Sequence, residues 1–399
     1  MALSSSEQMR RWHGPALLSY GFRPFFLLGA LWCGASMVLW IGMLSGGWEL
    51  PTDLDPVSWH THAFLFGYLG AIIAGFLLTA VPNWTSRLPV TGWRLAALVT
   101  LWAAGRLAVL FSAGLPVWFV AVVDLSFPLV LGLVILREIL AGKNWRNLVV
   151  LLLLAIFTVA NFLFHLEAAQ GDYAAQGIGT RLGLAAVLLM IALIGGRVVP
   201  AFTRNWLAQN NYDARPTPPM QGFDKIIMLA SAAVLLGWVL YPETDATGAA
   251  LLIIGMGHLI RLFRWKGWHT GAEVMVTILH IAYLFVPLGA IALGVAILVP
   301  DMLTMAAALH LWTAGAFGTM TLAVMTRATL GHTGNALHAN AKTILIYFAI
   351  IGATLSRFAA GFWPEPVLYD ISGGLWCLAF FGYALVYGPM LLKPKKQKP

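Results

Sequence analysis

The chain has 399 residues, 60% of them hydrophobic and 10% charged, with a formal net charge of +8 and a mean hydropathy of +0.81. Soluble domains carry roughly 25% charged residues, so a water-soluble fold is excluded and the bilayer must be the solvent for most of the chain. The positive charge lies in short loops between apolar runs, where it orients a membrane protein; this removes nucleic acid as a partner and leaves membrane lipid.

The first ~20 residues are polar and read as no secretory signal, because the first apolar run is too long for one. Arg10-Arg11 lacks the rest of a twin-arginine signal. Twelve apolar runs follow, predicted as transmembrane helices at 24–45, 57–81, 93–112, 116–137, 147–166, 178–199, 225–241, 247–264, 272–299, 302–326, 342–361 and 367–392. Lipid offers no hydrogen bonds to bare backbone, so spans are helices or a closed barrel. Continuous runs of this length exclude the barrel, whose strands would alternate. The predicted fold is an all-α integral membrane bundle, one transmembrane domain over 1–399. The longest connection, around 201–224, is rich in Asn and Pro and too small to fold alone.

Loop charge sets orientation. With the N-terminus inside, alternate loops carry Arg10, Arg11, Arg87, Arg94, Arg137, Lys143, Arg146, Arg204, Arg215, Arg261, Arg264, Lys266, Arg327 and Lys342, joined by the tail Lys393, Lys395, Lys396 and Lys398. The other side holds Glu49, Asp53, Asp55, Glu167, Asp172, Glu243, Asp245, Asp301, Glu365 and Asp370. This positive-inside pattern predicts both termini in the cytoplasm. Trp48, Trp59, Trp84, Trp93, Trp145, Trp206 and Trp268 lie near span ends and read as an interfacial belt. Cys33 and Cys377 fall inside apolar runs and read as core packing. Gly315 and Gly318 allow either close helix packing or room for a flat cofactor.

Ionisable groups inside the bilayer are costly and stand as functional candidates. Arg106 in span three and Asp124 in span four are each nine positions from the turn near Leu115, which places them at one depth in an antiparallel hairpin. They are expected to pair; the alternative is that Arg106 binds a cofactor carboxylate. Arg197 and Arg357 near span ends raise the same choice between snorkelling and an anionic partner.

Imidazole is the usual protein ligand for haem iron and a good one for copper. His60 and His62 open span two, His165 ends span five, and His310 lies about 12 Å inside span ten, all toward the outer side. His258, His280 and His332 lie toward the inner side. Residues i and i+2 of a helix point about 200° apart, so His60 and His62 could share a metal only if His60 stood outside the helix. The competing reading for any one of these histidines is a hydrogen-bonded helix contact. His13, His269 and His338 fall in loops or tails. The chain has no phosphate-binding Gly-Lys-Thr loop, no dinucleotide fingerprint, no His-Glu-x-x-His and no Cys-x-x-Cys-His, so any haem would be non-covalent.

Several motifs run in order through the chain: Gly21-Phe22-Arg23-Pro24-Phe25-Phe26, Trp59-His60-Thr61-His62 with Phe66-Gly67, and Gly75 to Thr85. Gly105-Arg106, Gly196-Arg197, Pro200-Ala201-Phe202-Thr203-Arg204-Asn205, Met325-Thr326-Arg327 and Gly331-His332-Thr333-Gly334 follow. Together they resemble the NnrS family of bacterial haem- and copper-containing membrane proteins. One departure is Ala63, where family members usually carry Glu. The resemblance implies a twelve-helix inner-membrane protein linked to nitric oxide metabolism and nitrosative stress, with nitric oxide as small-molecule ligand. It implies non-covalent b-type haem and copper. On that reading His60, His62, His165 and His310 would hold an outer centre and His258, His280 and His332 an inner one. Arg106, Arg197 and Arg327 would meet haem propionates, since Arg matches a carboxylate bidentately. Two other readings remain: a haem–copper-oxidase-like reductase, disfavoured because spans six and seven contain no histidine, and a small-anion or metal transporter, for which no internal repeat is visible.

Overall fold

The computed structural model describes residues 12–395. Arg10, Arg11, Lys396 and Lys398, which were counted toward orientation, lie outside the described residues. Twelve helices among the described residues are long and apolar enough to cross a membrane. In chain order they are α1 (Phe22–Leu44), α2 (Pro56–Thr85), α3 (Trp93–Leu110), α4 (Val117–Ala141), α5 (Trp145–Ala169) and α6 (Ile178–Gln209). The second six are α7 (Gly222–Leu240), α8 (Asp245–His269), α9 (Val274–Leu298), α10 (Met305–Thr333), α11 (Ala341–Ala359) and α12 (Pro366–Leu392). The chain is a multi-pass membrane protein.

All twelve predicted spans are present, and their ends correct the sequence reading in two places. The connection expected at 201–224 begins as helix, because α6 runs through Pro200 to Gln209. Its early part keeps the helical hydrogen bonds that a loop in lipid would forfeit. Likewise α10 extends to Thr333, so His332 sits in its last turn. The belt assignment also divides. Trp48, Trp93, Trp145 and Trp268 are exposed, whereas Trp59 is fully buried against Ala63, Ala108, Val109 and Val120.

The described chain forms two compact units. Unit 1 comprises residues through Gly183, Ala328–Asn335 and Tyr383 onward; unit 2 comprises Leu184–Arg327 and Ala336–Gly382. In unit 1, α1 lies close against α2, where Gly75 admits the Phe26 ring. Arg23, buried at the start of α1, donates from Nη1 to the carbonyls of Leu391 and Lys393, both at 2.7 Å. These are orphan carbonyls at a helix C-terminus, and a cation is favoured there. Thr329 and Tyr383 hydrogen-bond at 2.9 Å, tying the tail of α10 to that of α12. Tyr20 and Phe22 hold the His332 ring, with Tyr20 stacked at 5.5 Å. Burial pushes the Tyr20 hydroxyl up to about 12.

In unit 2, α8 and α9 pack through small residues. A Cβ on Gly294 would come 2.7 Å from the Gly248 carbonyl oxygen, and one on Gly255 would meet Ile291. With no hydrophobic effect to drive helix association in lipid, such close backbone approach supplies the attraction.

Both α2 and α10 widen into a π-helical stretch immediately after a histidine: Ala63–Tyr68 after His62 and Leu311–Gly318 after His310. Widened turns perturb the helical ladder, and side chains can supply partners. In α2 the indole of Trp32 donates to the Ala63 carbonyl at 3.0 Å and that of Trp102 to the Gly67 carbonyl at 2.9 Å. Single π-turns are rare and cluster at functional positions.

Candidate functional site

Four helices of unit 1 converge on one carboxylate. Asp124 of α4 is 0% exposed and accepts four hydrogen bonds. Arg106 of α3 donates to its Oδ1. On its Oδ2 converge Asn161 Nδ2 at 2.7 Å, His165 Nε2 at 3.0 Å and His62 Nε2 at 3.1 Å. The hairpin geometry of α3 and α4 thus yields the expected ion pair. Gly105 lets α3 come in close: a Cβ there would stand 2.7 Å from Asp124 Oδ1. Gly67 does the same for the guanidinium, since its Cβ would stand 2.6 Å from Arg106 Nη1. On α5, Asn161 and His165 are four apart and share a face.

The hydrogen-bond directions follow from the partners. Asn161 donates from Nδ2 to Asp124, and its Oδ1 faces His62 Nε2 at 3.1 Å. His62 Nε2 therefore stands between two acceptors and must carry its proton. His165 Nε2 also donates to the carboxylate. His62 Nδ1 is buried without a hydrogen-bond partner, as are Arg106 Nε and Nη1. Phe66 and Phe164 pack on the His62 ring and exclude water.

The ligating atoms of His62, Asp124 and His165 all lie within 4.8 Å of one another. Two imidazoles and a carboxylate with an amide beside them suit a first-row transition metal. Among the described residues this is the group of three or more His, Cys, Asp or Glu side chains close enough to hold one ion.

The other expected residues lie elsewhere. His60 belongs to the same helical turn as His62 and points away from it, with its ring stacked on Trp40 at 4.3 Å. The two do not converge, as the 200° separation requires. His310 donates from Nδ1 to the Ala306 carbonyl at 2.6 Å, which leaves Nε2 as the acceptor nitrogen. That is the tautomer a ligating histidine adopts. The glycines after it, however, are filled: a Cβ on Gly315 would meet Phe285 at 2.6 Å, and one on Gly318 would meet Ile350 and Trp376 at 3.0 Å. Close packing, not room for a flat ring, accounts for them. Arg327 covers the Phe202 ring at 4.0 Å and Arg357 the Tyr369 ring at 5.1 Å.

A second buried network lies in unit 2. Arg261, counted above among the loop charges, is 0% exposed. Its Nε donates to Asp224 Oδ1 at 2.8 Å, and its Nη1 to the Ala192 carbonyl at 2.9 Å and to Tyr283 Oη at 2.8 Å. Because Arg is only a donor, Tyr283 accepts from it and donates onward to His258 Nδ1 at 2.9 Å. His258 Nε2 then donates to Ser231 Oγ at 2.9 Å, and Ser231 donates to the Ile227 carbonyl at 2.7 Å. Both ring nitrogens of His258 are occupied. His280 bonds Thr203 at 2.8 Å, and His332 belongs to unit 1. His258 and His280 therefore each serve a separate hydrogen bond in unit 2. Gly196 makes way for the Arg261 guanidinium. Asn161, Arg261, Asp224 and Tyr283 were not singled out from sequence. Three of them carried a signal there: Asn161 lies four residues before His165, Arg261 three after His258 and Tyr283 three after His280, spacings that share a helix face.

The family model of the NnrS protein matches residues 16–395. The chain belongs to the NnrS family. No curated protein matches it. Membership points to a nitric oxide-related function. Among the metal groups that the NnrS resemblance implies, the Asp124 cluster fits a single copper or iron ion, because two imidazole nitrogens and one carboxylate oxygen already converge. A haem lying over Gly315 and Gly318 does not fit, because aromatic and aliphatic side chains occupy that face.

Proposed function

We propose that this NnrS family protein binds copper or iron at His62, His165 and Asp124, and that this centre engages nitric oxide within the bacterial inner membrane to limit nitrosative damage. The observation that carries the reading is the convergence of three ligating side chains from α2, α4 and α5 in a fully buried setting. A metal there would take the place of the Nε2 protons, since ligating imidazole must present a bare nitrogen. Arg106 neutralises Asp124 and fixes the carboxylate with Oδ2 toward the histidines. Asn161 orients the same oxygen. The ring walls of Phe66 and Phe164 keep the centre dry. A bound metal would supply an electron-rich partner for a neutral diatomic ligand. Haem enters the proposal through family membership alone, and no step is assigned to it.

Metal content and spectra test the centre. Purified protein should carry copper or iron in stoichiometric amount, and its spectrum should shift on adding nitric oxide. His62→Ala and His165→Ala should each lose that metal while the chain still accumulates in the membrane. Full metal content per purified chain in both variants would leave the cluster as a purely structural polar knot. The proposal also places both termini in the cytoplasm. A reporter fused at the C-terminus should read cytoplasmic and one between Asp53 and Asp55 periplasmic; the reverse at either position overturns the orientation.

A further inference from the structure

Unit 2 contains a small, partly enclosed cavity beside the Arg261 network. Its free volume for a water-sized sphere is about 10 Å³, and its wall includes Ala192, Leu235, Ile254, Ala290, Ser231 and Trp312. All six are buried, none more than 6% exposed. The size suffices for one water molecule. The chemistry of the wall argues against one. A buried water needs two to four polar partners, and the polar atoms facing this cavity are already spent. Ser231 Oγ donates to Ile227 and accepts from His258. Both nitrogens of His258 are engaged, by Tyr283 and by Ser231. Trp312 Nε1 donates to the Val286 carbonyl at 2.9 Å. One lone pair on Ser231 Oγ is all that remains. A water placed here would give up its hydrogen bonds with almost nothing in return, at a cost of several kcal/mol.

We propose that this cavity is a dry docking site for a neutral apolar diatomic gas, drawn from the bilayer, with nitric oxide as its occupant. Such a gas asks for no hydrogen bonds, concentrates in lipid, and recovers dispersion contacts that the empty wall forfeits. The Arg261–Tyr283–His258–Ser231 chain has a positioning role. By fixing the direction of every hydrogen bond, it keeps the polar atoms of the wall paired and the cavity free of water. The choice of nitric oxide rests on the functional reading above, whereas the existence of a dry gas site does not.

Xenon tests the site without reference to any metal. Crystals of the full-length protein pressurised with xenon should show one anomalous-scattering peak per chain between Ala290 and Trp312. Ala290→Leu should abolish that peak, and Leu235→Ala should raise its occupancy. If Ala290→Leu does not accumulate, Leu188→Phe closes the cavity from another helix and should give the same loss. Equilibration with nitric oxide before xenon should lower xenon occupancy in the wild-type crystal. An ordered water in the cavity, no xenon in the wild-type protein, or an unchanged peak in the filled variant would overturn the gas site. Xenon that nitric oxide fails to displace would overturn the assignment of the occupant. Neither result depends on whether His62 and His165 bind metal.

Discussion

The two buried polar centres are built with opposite signs. In unit 1 the hub is an anion, Asp124, and every partner is a donor. In unit 2 the hub is a cation, Arg261, and every partner accepts. The difference decides what the histidines can do. Around Asp124, His62 and His165 hold protons at Nε2 that point toward a shared oxygen, and a metal can replace them. Around Arg261 the donors propagate outward through Tyr283, which locks His258 between a donor and an acceptor. The first arrangement is the one proposed to accept an ion; in the second, both nitrogens of His258 are already hydrogen-bonded.

The largest test of this contrast is Asp124→Asn. It leaves Arg106 buried without a counter-charge and should cost about 3–5 kcal/mol, the range for breaking a buried pair. Accumulation and thermal stability in detergent should fall sharply, and a double change of Arg106 and Asp124 to an uncharged pair should restore both. If Asp124→Asn melts like the wild type, the hub is not an ion pair. Next comes Asp224→Asn. It too leaves a buried Arg without a counter-charge, but Arg261 keeps the Ala192 carbonyl and Tyr283 as acceptors, so the loss should fall at the low end of the same range, about 3 kcal/mol. Metal content should not change, because that network holds none. A drop in metal here would join the two centres that the comparison separates. The smallest effects come from Gly67→Ala and Gly196→Ala, each of which drives a methyl group against a guanidinium. Each should cost about 1–3 kcal/mol through overpacking. They should diverge in one respect: Gly67→Ala displaces Arg106 and weakens metal retention, whereas Gly196→Ala leaves metal bound. Identical effects on metal content would blur the distinction.

The legible part of this molecule is the part governed by the bilayer. Twelve spans follow from hydropathy, because lipid leaves the backbone no other choice. The Arg106–Asp124 pair follows from counting residues on either side of one turn. Partners on non-adjacent helices do not follow. Nothing in the spacing of His62, Asn161 and His165 says that α2 and α5 meet at α4. Arg261 was misread for a different reason. It stands three positions from Arg264 at a span end, where positive charge normally faces water, and only the fold shows Asp224 and Tyr283 reaching it. The glycines of α10 were open to two readings, and packing against Phe285 and Trp376 settles them. The widened turns after His62 and His310 carry no compositional mark.

Arg23 ties the start of α1 to the last turn of α12. Its hydrogen bond to the Leu391 carbonyl joins residues 368 apart in sequence. During synthesis at 5–20 residues per second, the guanidinium therefore waits roughly 20–75 s for its acceptor to be made. Unit 1 cannot be completed from its own leading segment, since it also needs Ala328–Asn335 and the residues from Tyr383 onward. Assembly of the Asp124 cluster can precede the last helix, but sealing of the bundle around Arg23 must wait until α12 has been made. A nascent chain released early would insert its first helices correctly and still carry an unsatisfied cation at their entrance, a recognisable flag for membrane quality control.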